Sequence, residues 1–315
     1  MTAPNGQDLV IFHNFFAAMN PSYIISRLSV WIGIPASGFG IAFAVEKYWN
    51  IGSSDARLGL ILLAIFAAIF LAWAVFQEFR YSRKARYAES LSILNSALQI
   101  GYDGSLKSQN ETDPTKITQT VREICNILAD AFSLITGTRC AVCVKMLDDS
   151  PNATIEDNSP VGVATLCRDY ISDRKRNFIP SKPNWLDRNT DFDEMFRTIK
   201  NPGGGTFFGN YLPGLYGYNN TSFEFYNGPP TEISVPIIRG IVRRMTWNLP
   251  YKSTIGAVIF PTTPKDEDLL AGFLCIDSAS SRNFRARYDV DLLRTISAAI
   301  YPMIMRWYEI AGSES

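Results

Sequence analysis

Two long uncharged stretches near the start of the chain most constrain how it can fold. The first runs from Leu28 to Val45 and the second from Leu58 to Gln77, with a polar link between them. At a rise of about 1.5 Å per residue, helices over these stretches would span roughly 27 and 30 Å, close to the bilayer core thickness of about 30 Å. The sequence therefore predicts a transmembrane hairpin of two helices over residues 22–79, preceded by an interfacial segment over residues 1–21.

The charges that flank the hairpin predict its orientation. Basic residues crowd the exit of the second span, whereas the link carries fewer of them: Arg80, Arg83, Lys84 and Arg86 against Lys47 and Arg57. Because short basic flanks are retained on the cytoplasmic side, both termini are expected in the cytoplasm. The prediction is a multi-pass protein of the inner (cell) membrane, with the lipid bilayer as a partner.

Small residues recur at four-residue spacing in both spans, a pattern that lets helices approach closely. They are Ala36, Gly40 and Ala44 in the first span and Ala64, Ala68 and Ala72 in the second.

Residues 80–114 follow as a predicted juxtamembrane helix and linker, with the linker beginning at Gly101. In that helix Tyr87, Leu91, Leu94 and Leu98 have coiled-coil spacing, which fits either a dimer stalk or a helix packed onto the next domain. A homo-oligomer formed through the transmembrane and juxtamembrane helices is expected.

Charge and reactive residues exclude several functions. The chain has 30 basic and 30 acidic residues, so no overall positive charge attracts nucleic acid. Its only histidine is His13, which leaves the rest of the chain without the usual base or ligand for catalysis, haem or zinc. The cysteines are odd in number and lie in apolar stretches, as reduced core thiols do: Cys125, Cys140, Cys143, Cys167 and Cys275. We expect no enzyme, no catalytic or metal-binding residue and no nucleic-acid partner, and no cofactor is identified.

From Thr115 the pattern predicts a compact α+β domain over residues 115–310. Apolar residues from Ile117 to Ile135 trace one face of a helix that ends at Gly137. Strands are predicted from Cys140 and at four further places: Val161 to Cys167, Glu232 to Ile238, Thr254 to Pro261 and Leu269 to Asp277. Hairpin connections predict a mostly antiparallel sheet, and a last helix from Asp289 to about Tyr308 is expected beside the first.

The order of these elements resembles that of the GAF family of small-molecule sensor domains. The most similar stretch is Ala271 to Ser278, followed by Phe284 and the helix from Asp289, which looks like the closing strand, small-residue turn and last helix of the family. Ile233 to Ile237 is similar to the central strand. The resemblance implies a GAF-like antiparallel sheet flanked by helices, which acts in ligand binding or dimerisation and not in catalysis.

The sequence also departs from the better-defined branches of that family. Bilin-binding members use a cysteine with a neighbouring histidine, and no histidine follows His13. Cyclic-nucleotide members carry an Asn-Lys, Phe, Asp-Glu signature, of which Phe192, Asp193 and Glu194 reproduce neither the Asn-Lys part nor the spacing. No ligand class carries over from the family.

An aromatic-rich insertion, residues 171–230, is the predicted location of the binding site. Its aromatic content argues against a solvated linker and predicts a lid over one face of the sheet. A ligand site needs apolar walls with a few polar groups, which the insertion and two nearby arginines supply. The candidate ligand-binding residues are Phe207, Phe208, Tyr211, Tyr216, Tyr218, Arg239 and Arg243. The acids Asp187, Asp191, Asp193 and Glu194 are instead expected in solvent at a helix start.

Together these features predict a membrane-anchored cytoplasmic sensor. Its GAF-like domain would bind a small molecule or a protein partner and couple this event to the membrane hairpin. The alternative is a membrane-perturbing effector, for example in a bacterial defence system, whose hairpins assemble when the cytoplasmic domain is triggered. Both hypotheses assign the chain a role in binding and none in catalysis.

Overall fold

The computed structural model describes residues 53–147, 161–176, 184–201, 203–226, 228–231, 236–261 and 269–313. The interfacial segment and the first predicted span lie outside these residues, as do positions 232–235 of a predicted strand. The chain divides into two compact units, Met1–Ser82 and Arg83–Ser315. Within the described residues, no helix is both long and apolar enough to cross a membrane.

Six helices and six strands follow one another in the described ranges. The helices are α1 (Ser53–Ser108), α2 (Pro114–Thr136), α3 (Tyr170–Arg176), α4 (Thr190–Thr198), α5 (Pro236–Met245) and α6 (Asp291–Ser313). The strands are β1 (Cys140–Leu147), β2 (Gly162–Arg168), β3 (Asn184–Trp185), β4 (Thr206–Gly209), β5 (Ser253–Ile259) and β6 (Gly272–Ser278). Short 3-10 turns occupy Leu212–Gly214 and Thr221–Phe225, and a π-helical turn, Ala286–Val290, leads into α6.

The strands form one sheet in the order β3-β2-β1-β6-β5-β4, and every neighbouring pair is antiparallel. This confirms the predicted α+β class and the antiparallel sheet. The predicted strands after Gly137 and at Val161, Thr254 and Leu269 coincide with β1, β2, β5 and β6 to within a few residues. The edge strands β3 and β4 come from the insertion and were not predicted.

One face of the sheet carries the first hydrophobic core, built with α2, α6 and the second half of α1. Residues of α1 such as Leu94 and Ala97 are buried there together with Phe132 of α2 and Ile300 of α6. The indole of Trp307 donates a hydrogen bond to Thr118 Oγ1 at 3.1 Å, so α6 lies beside α2 as predicted. Of the two interpretations of the juxtamembrane helix, this packing supports the helix that folds onto the following domain.

The predicted linker from Gly101 to Pro114 is wrong for its first half, because α1 continues to Ser108. A Cβ atom on Gly101 would lie 3.4 Å from Ala299 Cβ, and one on Gly104 would lie 2.6 Å from Met303 Sδ. The two glycines therefore allow α6 to approach α1 closely and do not end the helix. Residues 109–113 alone connect α1 to α2, where Asp113 caps α2 by accepting from Thr115 N at 2.8 Å.

The other face of the sheet is covered by the insertion, as its aromatic content predicts. Side chains alternate along β6, so Leu274 and Ile276 belong to the first core, whereas Phe273 and Cys275 belong to the second. Residues of α4 and of the 3-10 turns complete this second core, among them Phe192, Met195, Leu212, Tyr218 and Phe223. The sheet thus lies between a helical layer and the folded insertion.

The strand predicted from Glu232 to Ile238 is wrong from Pro236 onward, where the chain forms helix α5. Proline fits the first turn of a helix because its fixed φ suits the helix and its missing N–H would be unpaired there. The stretch similar to a central GAF strand is therefore helical at Pro236 and Ile237.

Candidate functional site

A buried carboxyl group lies between the sheet and the insertion. Helix α4 turns Asp191, Phe192 and Met195 toward the sheet, and Asp191 is only 7% exposed. Beside it, the ring of Phe192 stacks on Phe273 of β6, with ring centroids 4.9 Å apart. The expectation that Asp191 lies in solvent is therefore wrong, because the amphipathic turn of α4 carries it into the second core.

Tyr218 and Asn220 form a hydrogen-bonded chain with this carboxyl group. The hydroxyl of Tyr218 donates to Asp191 Oδ2 at 3.4 Å and accepts from Asn220 Nδ2 at 3.2 Å. Both Tyr218 and Asn220 are about as buried as Asp191. The chain therefore offers a sequence of donors and acceptors inside an otherwise apolar layer.

The sheet contributes a second pair of polar residues on the same face. Lys145 of β1 is 7% exposed although it lies in an otherwise apolar strand. Asp277 of β6 accepts a hydrogen bond from Thr254 Oγ1 at 2.7 Å. The Asp191–Tyr218–Asn220 chain, Lys145 and Asp277 are named the interior polar cluster below.

Burial controls the electrostatics of this cluster. Burial first and the charge of Asp277 second raise the pKa of Asp191 from 3.8 to about 7, against the opposite effects of a backbone hydrogen bond from Phe192 and of the charge of Lys145. The pKa of Tyr218 lies well above its ordinary value, first because of burial and then because of Asp191. Asp191 is thus poised between its neutral and charged forms near neutral pH, where it can donate or accept a hydrogen bond.

Two thiols lie on the same face of the sheet as the polar cluster. Cys143 of β1 and Cys275 of β6 are opposed in the register and both are buried. A hydrogen bond from Cys275 lowers the pKa of Cys143 to about 6, and Arg168 and Lys145 act in the same direction. Cys140 belongs to the first core, which confirms that the two thiols of the Cys-x-x-Cys motif lie on opposite faces.

The structure brings together some of the predicted ligand-binding residues. Phe207 and Tyr218 are buried in the second core with ring centroids 6.2 Å apart. Phe208 lies opposite Ile255 in the β4–β5 strand pair, and Ile255 belongs to the first core. Phe208 therefore lies on the other face of the sheet, where it is 39% exposed. Tyr216 is 71% exposed, and Tyr211 is half-buried with its ring against Gly214. Phe208 and Tyr216 are therefore not part of the polar cluster.

The two predicted arginines both lie in α5. Arg243 is almost fully buried, and its guanidinium donates to the backbone carbonyls of Leu215 and Tyr218. It also lies over the ring of Trp247, 5.8 Å from the centroid. Arg243 thereby fixes the segment that carries Tyr218. Arg239 belongs to the same helix, and its side chain lies outside the described residues.

Sequence reasoning missed Lys145, Asp277 and the role of Asp191. The signal for Lys145 was its position among the alternating apolar residues of β1, at the spacing that puts it on the same face as Cys143. Asp277 likewise follows Cys275 by two residues. The other members of the acidic group are more accessible, as expected: Asp193 pairs with Arg197 at 2.8 Å, and Asp187 and Glu194 are exposed.

The cluster contains groups that can form hydrogen bonds with a polar molecule. It combines two carboxyl groups, a phenol, an amide and an ammonium group with walls of Phe192, Phe207 and Phe273. Such a set orients a polar molecule through hydrogen bonds while the aromatic walls exclude water. In the described part of the chain, no group of three or more His, Cys, Asp and Glu side chains is placed to hold a metal ion.

Comparison with known proteins gave similar structures only. No family model and no curated protein matches the chain. The GAF domain of a phosphoenolpyruvate-protein phosphotransferase from Coxiella burnetii is 10% identical, with a TM-score of 0.38 over 70% of this chain and 98% of its own. The corresponding GAF domain from Acinetobacter is 10% identical, with a TM-score of 0.36 over 70% and 94%. The chromophore-binding domain of a bacteriophytochrome from R. palustris is 14% identical, with a TM-score of 0.33 over 70% and 63%.

Proposed function

We propose that the chain is a membrane-anchored regulatory protein whose GAF-like cytoplasmic domain binds a small polar molecule at the interior polar cluster. The observation that carries the proposal is the buried chain from Asp191 through Tyr218 to Asn220. A carboxyl group with a raised pKa in an apolar layer costs stability, and such groups are concentrated at binding and catalytic sites. A ligand that donates hydrogen bonds to Asp191 and Asp277 would offset this cost.

The membrane anchor is supported by the sequence and by the surface of α1. Positions 65–73 are all exposed, and none is charged. Large apolar side chains there include Ile65, Phe66, Ile69 and Trp73, each more than half exposed. A helix that is apolar all round suits a lipid environment better than water. The hairpin would hold the domain at the cytoplasmic face and receive its signal.

Mass spectrometry of small molecules that co-purify with the full chain tests the proposed ligand site. Asp191→Asn should lose the bound molecule, because the neutral amide oxygen accepts hydrogen bonds more weakly than a charged carboxylate does. The matched control is Asp193→Asn on the same helix, whose carboxylate pairs with Arg197 at the surface and should leave retention unchanged. Equal retention in all three proteins, or no bound molecule in the wild type, would contradict the proposal.

A further inference from the structure

Two thiols meet on the insertion side of the sheet. Cys143 and Cys275 are directly opposite in the antiparallel pair β1–β6, so their side chains leave the sheet on the same face. They are 5% and 7% exposed and are joined by a hydrogen bond between the thiols. Directly opposite residues have Cβ atoms about 4.5–5.5 Å apart, a spacing from which two sulfur atoms can reach one ion.

A third sulfur atom lies beside this pair. Gly256 of β5 is opposite Cys275 on its other side. A Cβ atom on Gly256 would lie 2.8 Å from Met195 Sδ and 3.9 Å from Cys275 Sγ. The thioether of Met195 therefore occupies the space that the missing side chain leaves, next to the thiol of Cys275. Three sulfur-bearing side chains, from β1, β6 and α4, thus belong to the same part of the second core.

The donor set determines which ion fits. Thiolate and thioether sulfur atoms are soft ligands that select Cu(I), whereas carboxylates and carbonyls suit hard ions. Metal binding requires loss of the thiol protons. Two thiolates with one Cu(I) carry a net negative charge, which the buried ammonium of Lys145 offsets.

We propose that Cys143, Cys275 and Met195 form a three-sulfur site for Cu(I). Binding joins one Cu(I) to two thiolates and one thioether, and the two thiol protons leave to solvent without any change of oxidation state. The site is adjacent to the interior polar cluster and shares with it only the charge of Lys145. None of its three sulfur ligands belongs to that cluster, so Cu(I) binding can be tested separately from the proposed organic ligand.

The test is a titration of the reduced full chain, in nanodiscs and without oxygen, with Cu(I) held by the chromophoric chelator bicinchoninate. Wild type should remove one equivalent of Cu(I) from the chelator. Cys143→Ser with Cys275→Ser should abolish this uptake, and Met195→Leu, which conserves volume, should weaken affinity by about tenfold or more. X-ray absorption of the loaded chain should show sulfur atoms alone in the first shell.

Matched controls come from the other cysteines. Cys140→Ser alters a buried thiol on the opposite face, and Cys125→Ser with Cys167→Ser alters another buried thiol pair. Both should bind Cu(I) as wild type does. Wild type that fails to compete with the chelator, or that binds Zn(II) as tightly as Cu(I), would overturn the proposal. So would uptake that persists without Cys143 and Cys275, or wild-type affinity in Met195→Leu.

Discussion

Asp191→Asn should make the folded chain more stable above neutral pH and reduce the pH dependence of its stability. The pKa of Asp191 is about 7 in the fold, whereas its ordinary value is 3.8. Between these values the folded chain keeps a proton that the unfolded chain has released, so stability decreases as pH rises through this window. The difference, 7 − 3.8, is about 3 pH units, which corresponds to about 4 kcal/mol at roughly 1.36 kcal/mol per unit.

Denaturant unfolding of the full chain in nanodiscs, followed by near-ultraviolet circular dichroism, measures this effect. The asparagine amide is neutral at every pH, so the variant lacks the titration of Asp191. Its oxygen still accepts a hydrogen bond from Tyr218, so the packing around it is kept. From about pH 5 to 8, wild type should lose about 3 kcal/mol relative to Asp191→Asn. The raised pKa of Asp289 is present in both proteins, so its titration cancels in the difference.

Parallel stability curves for wild type and Asp191→Asn over this range would refute the reasoning. They would mean that the carboxyl group of Asp191 is solvated or already neutralised by a cation. Asp193→Asn is the control, and its curve should follow that of wild type because the Asp193–Arg197 pair lies at the surface.

Three further predictions follow from the fold and the proposed anchor. A reporter fused after Ser315 should be active in the cytoplasm, and a tag within Gly52 to Asp55 should be labelled only from outside the cell; external labelling at Ser315 would contradict the orientation. Tyr218→Phe should reduce retention of the co-purifying molecule and lower stability by about 1–2 kcal/mol, whereas Phe208→Ala, on the other sheet face, should leave retention unchanged. Gly137→Ala should lower the free energy of unfolding by about 1–2 kcal/mol, since Gly137 has φ +72° at the end of α2; no change in denaturation midpoint would count against this cap.

Regular elements with strong periodicity could be predicted from the sequence. The apolar face of α2 and its terminal Gly137 define a helix without tertiary information, and the short apolar run of β1 defines a strand that is buried on both faces. Helix α5 could not be assigned in this way, because Ile237 and Ile238 favour a strand locally. The opposing signal was Pro236, together with the helical spacing of Ile238, Ile241 and Met245.

The site depends on information that local patterns lack. Asp191 stands at the start of a short helix, which is also where solvated acids occur, and only the packing of Phe192 and Met195 against the sheet fixes its burial. Gly101 and Gly104 present the same difficulty, because a glycine that ends a helix and one that admits a neighbouring helix look alike in sequence. Their meaning depends on Ala299 and Met303, almost 200 residues later.

The packing of α1 against α6 has a consequence for biosynthesis. Ser105 Oγ donates to the carbonyl of Ala299 at 2.8 Å, 194 positions later, and Tyr87 hydrogen-bonds Asp289, 202 positions later. Helix α1 leaves the ribosome first, so Leu94 and Ala97 stay uncovered until α6 has been made. Contacts this distant in sequence slow folding and prolong the exposure of apolar surface. The domain should therefore complete its first core only after translation of α6, and a nascent chain that stalls before α6 should be a substrate for chaperones and proteases.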